Sequence, residues 1–114
     1  MPPEEDLYGI HGGDLETSLR LHLRPDLVRM EKAEDFRSQQ IDFLKDFQHL
    51  RFHAASARIG RRARDLNPAG VAGNAARAIA ERGRMILDHQ AVLFVALLGE
   101  VARFDRTRLH GIAR

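Results

Sequence analysis

The chain has 114 residues, 44% of them hydrophobic and 30% charged, a composition that fits one soluble folded domain with a modest core and excludes a disordered chain. Its formal net charge of +2 comes from arginine spread along the sequence, so charge alone does not point to nucleic acid. The absence of cysteine excludes disulfides, thiolate metal sites and a cysteine nucleophile, and suits a reducing cytoplasm.

Residues 1–9, MPPEEDLYG, are acidic, lack the apolar core of a signal peptide, and are expected to be loose. The next stretch, His11-Gly12-Gly13-Asp14-Leu15-Glu16-Thr17-Ser18, brings together a histidine, a flexible glycine pair and carboxylates at the mouth of a helix. Glycines leave no side chain above the turn, so a ligand or metal can approach the backbone. Asp14 is a good N-cap for a helix expected from Asp14 to Arg24. Glu16 falls in its first turn, where free N–H groups and the helix dipole favour an ionised carboxylate, and His11 stands just before it. By spacing alone, the plainer reading is a Gly-Gly turn entering a capped helix, with Ser18 as a helix-start hydroxyl rather than a nucleophile.

Pro25 stops that helix, and Asp26 to Val28 leads into a charged link over Arg29 to Asp35. Phe36, Ile41, Phe43, Leu44, Phe47 and Leu50 recur at spacings of three and four, which predicts a second helix from Ala33 to His49. Leu50 to Ile59 either extends it or forms a short strand. His49 and His53 share a helix face in the first case, although no third metal ligand is placed near them, and a solvent role is the simpler reading. His22 and His89 fall within helical patterns as surface or packing residues. Arg58, Arg61, Arg62 and Arg64 form a basic cluster without interleaved aromatics, which fits a solvated face or a subunit contact better than a grip on a phosphate backbone.

Asn67-Pro68, Gly70 and Gly73 break regular structure into a turn-rich loop. Asn74 is placed to cap a last helix running to Phe104, with Ile79, Ile86, Leu93, Leu97 and Val101 on one stripe. Its run Ala91 to Leu98 is far shorter than the roughly 20 residues of a bilayer span and reads as a buried helix face. Residues 106–114 form a basic tail.

Two of these stretches carry a resemblance. HGGDLETSLRLHLRPDLV, from His11 to Val28, resembles the His-Gly-Gly (or His-Ala-Gly), Glu-Thr-Ser, Leu-x-Leu-x-Pro-x-Leu-Val pattern of the creatininase (creatinine amidohydrolase) family. Asp65-Leu66-Asn67-Pro68-Ala69-Gly70-Val71-Ala72-Gly73 is similar to that family's Asp-Leu-Asn-Pro-x-Gly-Val-x-Gly loop. A helix with an Ala-x-x-Glu-x-Gly pattern follows it, here Ala78 to Gly83. The similarity runs over residues 10–105.

The resemblance implies an α/β class, the C-terminal part of a three-layer α/β/α fold that is helix-rich in this chain. It also implies a homo-oligomer in the cytoplasm that opens a small-molecule cyclic amide with divalent metal ions (zinc, manganese or iron), away from nucleic acid and membrane. Glu16 matches the motif glutamate, as a metal ligand or as the acceptor orienting a water. His11 matches the motif histidine, as the proton carrier to the leaving nitrogen or as a group behind the ligands. The family's remaining metal-ligand motifs, a Glu-x-His, an Asp and a later His, belong to an N-terminal half not seen in these residues, so the segment is expected to be incomplete and inactive alone. Arg61 stands where the resembling proteins commonly have tryptophan, and around Arg20 they commonly have an apolar residue. The reading from a different class is a small helical module that pairs with itself or a partner without catalysis.

Overall fold

The structure is a computed structural model that describes residues 2–53 and 55–111. Residues 3–8, expected to be loose, form a short helix α1 (Pro3–Tyr8) that buries none of its residues. Pro3 has the fixed φ of a first helical position, and Glu4, Glu5 and Asp6 lie where the helix dipole favours negative charge. Helix α2 (Asp14–Leu23) follows the glycine pair. It ends where the sequence analysis places the stop, because Arg24 precedes Pro25 and is pushed to φ −147°.

The expected helix from Ala33 to His49 is mostly absent. Its first part is a short strand β1 (Asp35–Phe36), which follows a 3-10 turn (Met30–Lys32), and only α3 (Gln40–Asp46) is helical. Strand β1 pairs antiparallel with β2 (Gly73–Asn74) in the register Asp35 to Asn74 and Phe36 to Gly73. That pairing claims Phe36 as extended backbone, so a partner some 40 residues on overrides local periodicity. Phe43 of α3 stacks on Phe47 at 4.4 Å and meets Phe52 edge-on at 4.8 Å, folding the chain beyond α3 back on the helix. Among the described residues of Leu50 to Ile59 there is neither helix nor strand, only one parallel bridge from Arg51 to Arg58. His49 and His53 therefore do not share a helix face.

The last helix, α4 (Ala80–Arg103), starts later than expected. Asn74 does not cap it: a 3-10 turn (Ala75–Arg77) intervenes, and the residue before the helix is Ile79. The Ile79 N–H is instead taken by the Ser18 hydroxyl of α2 at 3.1 Å. Helices α2 and α4 cross at Gly83, where a Cβ would overlap the carbonyl oxygen of Ser18. Glycine costs a helix interior about 1 kcal/mol relative to alanine, and here the close crossing is what it permits.

The buried core is small: Leu66, Ala72, Ala75 and Ala78, together with the polar Asp14, Ser18, Ser38 and Gln40. Helix α2 spans roughly 15 Å and α4 roughly 36 Å at 1.5 Å per residue. Accordingly Arg82, Gly83, Ile86 and Leu87 are covered or half-covered, whereas Ala91 to Leu98 is exposed. Val92 is 70%, Phe94 59% and Val95 69% accessible, which corrects the expectation of a buried face. By length and composition α4 also reaches what a bilayer span needs, with a mean hydropathy of 1.6 over its best 18 residues. The total accessible surface of 8625 Å2 exceeds the roughly 6300 Å2 of a compact protein of this mass. The radius of gyration, 18.4 Å against about 13 Å, agrees.

Candidate functional site

The His-Gly-Gly bend is built on the turn-rich loop behind it. Leu66, fully buried, anchors the loop, and its carbonyl accepts from the Gln39 N–H at 2.7 Å. Asn67 folds the turn: its Nδ2 donates to the Arg37 carbonyl at 3.0 Å and its Oδ1 accepts from the Ala69 N–H at 2.9 Å. The chain then runs alongside the bend. Ala72 exchanges backbone hydrogen bonds with His11, donating at 2.9 Å and accepting at 3.3 Å, and its carbonyl also accepts from Ile10 at 2.8 Å.

Gly12 has φ +65°, a left-handed conformation, and a Cβ there would come within 2.8 Å of Val71 Cγ1. The glycine pair and the loop are thus two sides of one contact: a Cβ on Gly73 would lie 2.7 Å from the Gly13 Cα.

Glu16 reaches back over the bend, and its Oε2 accepts from the Gly12 N–H at 2.7 Å. It holds the bend just before the helix rather than capping the first-turn N–H groups, and Thr17 adds a hydroxyl bond to the Gly12 carbonyl at 3.4 Å. Asp14 corrects the expected N-cap. The residue before α2 is Gly13, and Asp14 turns inward, fully buried, where its Oδ1 accepts from Ser18 Oγ at 2.9 Å and from Arg82 of α4. Position 14 fits a cap by residue type. The cation and hydroxyl that draw it inward come from Arg82, 68 residues away, and from the next turn.

His11 and Glu16 are both exposed and line one cleft of about 260 Å3, whose other walls are Glu5, Asp6, Gly9, Ile10, Gly13 and Leu15. Glu5 and Asp6 were not singled out by sequence reasoning. Their only signal is acidity in the segment before the bend, and α1 is what turns them toward it. Glu16 also borders a more open groove of about 370 Å3 with Arg20, Arg29 and Lys32. Arg20 sits there exposed, so its charge stays solvated. Among the described residues no three His, Asp or Glu side chains converge closely enough to hold a metal ion. Of the bend's residues, Glu16 offers an exposed carboxylate with one oxygen engaged by the Gly12 N–H, one ligand of the three a catalytic metal normally takes.

The remaining candidates lie apart. Arg62 is paired with Asp65, whose carboxyl is held below its ordinary range first by the Arg62 backbone N–H and then by its guanidinium. Arg61, half-buried, has no partner for its Nε among the described residues and lies near His53. Burial, and then the Arg61 charge, lower the His53 pKa below the ordinary 6.5. The unfolded chain therefore binds the extra proton first, and stability falls as pH drops through about 6.5 toward the folded value. Urea midpoints between pH 7.5 and 5 should show this decline, and His53→Gln should flatten it. An unchanged slope would mean other groups set it.

A sequence model of the family described as creatininase, creatinine amidohydrolase, matches residues 1–98. A crystal structure from Bacteroides fragilis NCTC 9343, of a protein assigned as a creatinine amidohydrolase, is similar to this chain with a TM-score of 0.66 and 26% identity. The match covers 87% of this chain and 37% of that one, so the chain spans a little over a third of the length of that protein. No curated protein matches. With nearly all of the glycine bend, its supporting loop and the crossing helix inside the matched residues, the chain belongs to the creatininase family.

Proposed function

We propose that this chain is the part of a metal-dependent amidohydrolase that positions His11 and Glu16 for opening a cyclic amide or a related C–N bond. The observation that carries the reading is the shared cleft: the two residues of the family motif face one solvent-accessible space, held there by Gly12 and by Ala72.

Glu16 is the residue on this chain that would hold a divalent ion such as zinc, manganese or iron. Such an ion, when bound, makes water a better nucleophile and polarises a carbonyl. The ligand set is completed by residues outside those described, in the family's layered α/β/α arrangement. The Gly12 N–H holds one oxygen of the Glu16 carboxylate over the bend. His11, its backbone clamped to Ala72, keeps its imidazole at the cleft wall, where it can carry a proton to the leaving nitrogen as the C–N bond breaks. Such positioned acid catalysis adds on the order of 100-fold or more.

The test is hydrolysis of creatinine and simpler cyclic amides by the chain with added divalent metal, alone and mixed with the complementary N-terminal part of a creatininase-family protein. Turnover is expected only in the mixture, with Glu16→Gln lowering it by roughly 10- to 100-fold. A mixture with normal fold and full metal occupancy whose turnover is untouched by Glu16→Gln would sink the assignment.

A second reading, favoured by the bare apolar half of α4, is self-association through that helix. Its all-round apolar surface at Val92, Phe94, Val95 and Val101 is what a helix carries when a partner covers it. The same association would give the family enzyme its homo-oligomer in the cytoplasm. Sedimentation equilibrium should show a mass that rises with concentration, and Val95→Glu should abolish that rise. A concentration-independent monomer would remove this reading, and partition into vesicles would replace it.

A further inference from the structure

One carboxylate in the cleft is bound as a ligand would be. Glu5 reaches from α1 into a recess formed by Gly9, Gly13 and Gly73. A Cβ on Gly9 would sit 2.5 Å from its Cδ, one on Gly13 would overlap its Oε1, and one on Gly73 would lie 3.1 and 3.2 Å from its two oxygens. Its Oε2 accepts from the Asn74 N–H at 3.0 Å. Three positions without side chains thus surround a carboxylate, and a backbone donor faces it, which is how a chain admits an anionic group close to its main chain.

The rest of α1 does little to hold Glu5 there. The helix buries no residue, and its Tyr8 carbonyl accepts from Gln40 Nε2 at 3.2 Å. Glu5 and Gly9 stand between two spaces: with Gly13 they wall the cleft of His11 and Glu16, and with Gly73 and Asn74 they wall a second cavity lined by Phe36, Arg37, Ile41 and Arg77.

We propose that this glycine recess is a binding subsite for the carboxylate of a small molecule, and that Glu5 fills it as a tethered occupant. The inference rests on the reading of the cleft as an amidohydrolase site. Opening a cyclic amide with water breaks the C–N bond, adds the water oxygen to the carbonyl carbon, and places a proton on nitrogen, leaving one carboxylate and one amine. The recess takes that carboxylate on the Asn74 N–H, at the wall that the two spaces share. Glu5 competes with it at high effective concentration, since both belong to one chain.

The experiment is an amide-proton NMR titration of the chain and of Glu5→Ala with sodium acetate, with sodium chloride and acetamide as controls. Glu5→Ala should show saturable shifts at Gly13, Gly73 and Asn74 with a Kd on the order of millimolar, as suits a ligand of four heavy atoms held by few bonds. The unsubstituted chain should respond at least tenfold more weakly. Acetamide and chloride should do nothing in either. If Glu5→Ala fails to fold, acetate restoring the fold supports the subsite, and failure to restore it makes Glu5 a structural staple and overturns the proposal. A folded Glu5→Ala with no saturable response overturns it equally. Because binding is read without turnover, a null result in the Glu16→Gln assay leaves this result standing, and the reverse holds.

Discussion

Replacing Gly83 with alanine is expected to destabilise the chain by about 3 kcal/mol or more, while the same substitution at Gly99, on the same helix, is expected to be neutral or to stabilise by about 0.5–1 kcal/mol. A Cβ at position 83 would overlap the Ser18 carbonyl oxygen and approach the Leu19 nitrogen at 2.9 Å, and both are backbone atoms of a helix that cannot rotate away. At Gly99 the nearest atom is Arg103 Nη1 at 3.5 Å, the end of a flexible side chain. Helix propensity favours alanine equally at both positions, so the difference between the two variants isolates the crossing. Folded domains are typically stable by about 5–15 kcal/mol, so a loss of 3 is a large share. Urea midpoints measure both. If Gly83→Ala were as stable as Gly99→Ala, α2 and α4 would not cross as described, and the Ser18 bond to Ile79 would go with them.

The elements that could be read from the sequence are those decided locally. Helix α2 begins after a glycine pair and ends before Pro25, and both signals lie within the segment they punctuate. The end of α4 falls one residue from the expected Phe104 for the same reason, an uninterrupted apolar pattern. Its beginning does not, because the N–H that starts it is satisfied by Ser18, 61 residues earlier, and not by an adjacent cap. Phe36 reads as the first apolar position of a helix until Gly73 pairs with it. The small sheet comes from that pairing, and short strands of two residues leave no alternating pattern to see.

The candidate site divides along the same line. That His11 and Glu16 border one cleft follows from five residues of chain and a left-handed glycine, which are short-range facts. What the Asp65 to Gly73 stretch does was not readable, since a turn-rich loop can lie anywhere. Here Val71, Ala72 and Gly73 form the bed on which the bend rests. Glu5 escaped notice because an acidic, proline-containing start looks solvated, and only the glycines facing it reveal a recess.

Arg82→Met is expected to cost about 3–5 kcal/mol, the range for stranding a buried charge, and to loosen the bend along with the fold. The Asp14 carboxylate has no solvent exposure, one oxygen shared by the Ser18 hydroxyl and Arg82, and the other without a donor among the described residues. Without the guanidinium, a single hydroxyl faces the ion. Arg82 itself is 26% exposed, so Asp14→Ala leaves a cation that can turn toward water and toward the Arg77 carbonyl it already holds at 2.9 Å. The two losses should therefore be unequal, with Arg82→Met the larger. The double variant should lose about 0.5–3 kcal/mol less than the sum, as for any directly coupled pair. A double-mutant cycle by urea denaturation measures this, and simple additivity would mean the pair holds nothing together. Asp14 is the residue that follows Gly13, so the cycle also bears on the site. If the ion pair fixes where α2 starts, Arg82→Met should shift the Gly12 and Gly13 amide resonances even under conditions where the variant remains folded, and Gly99→Ala should leave them in place.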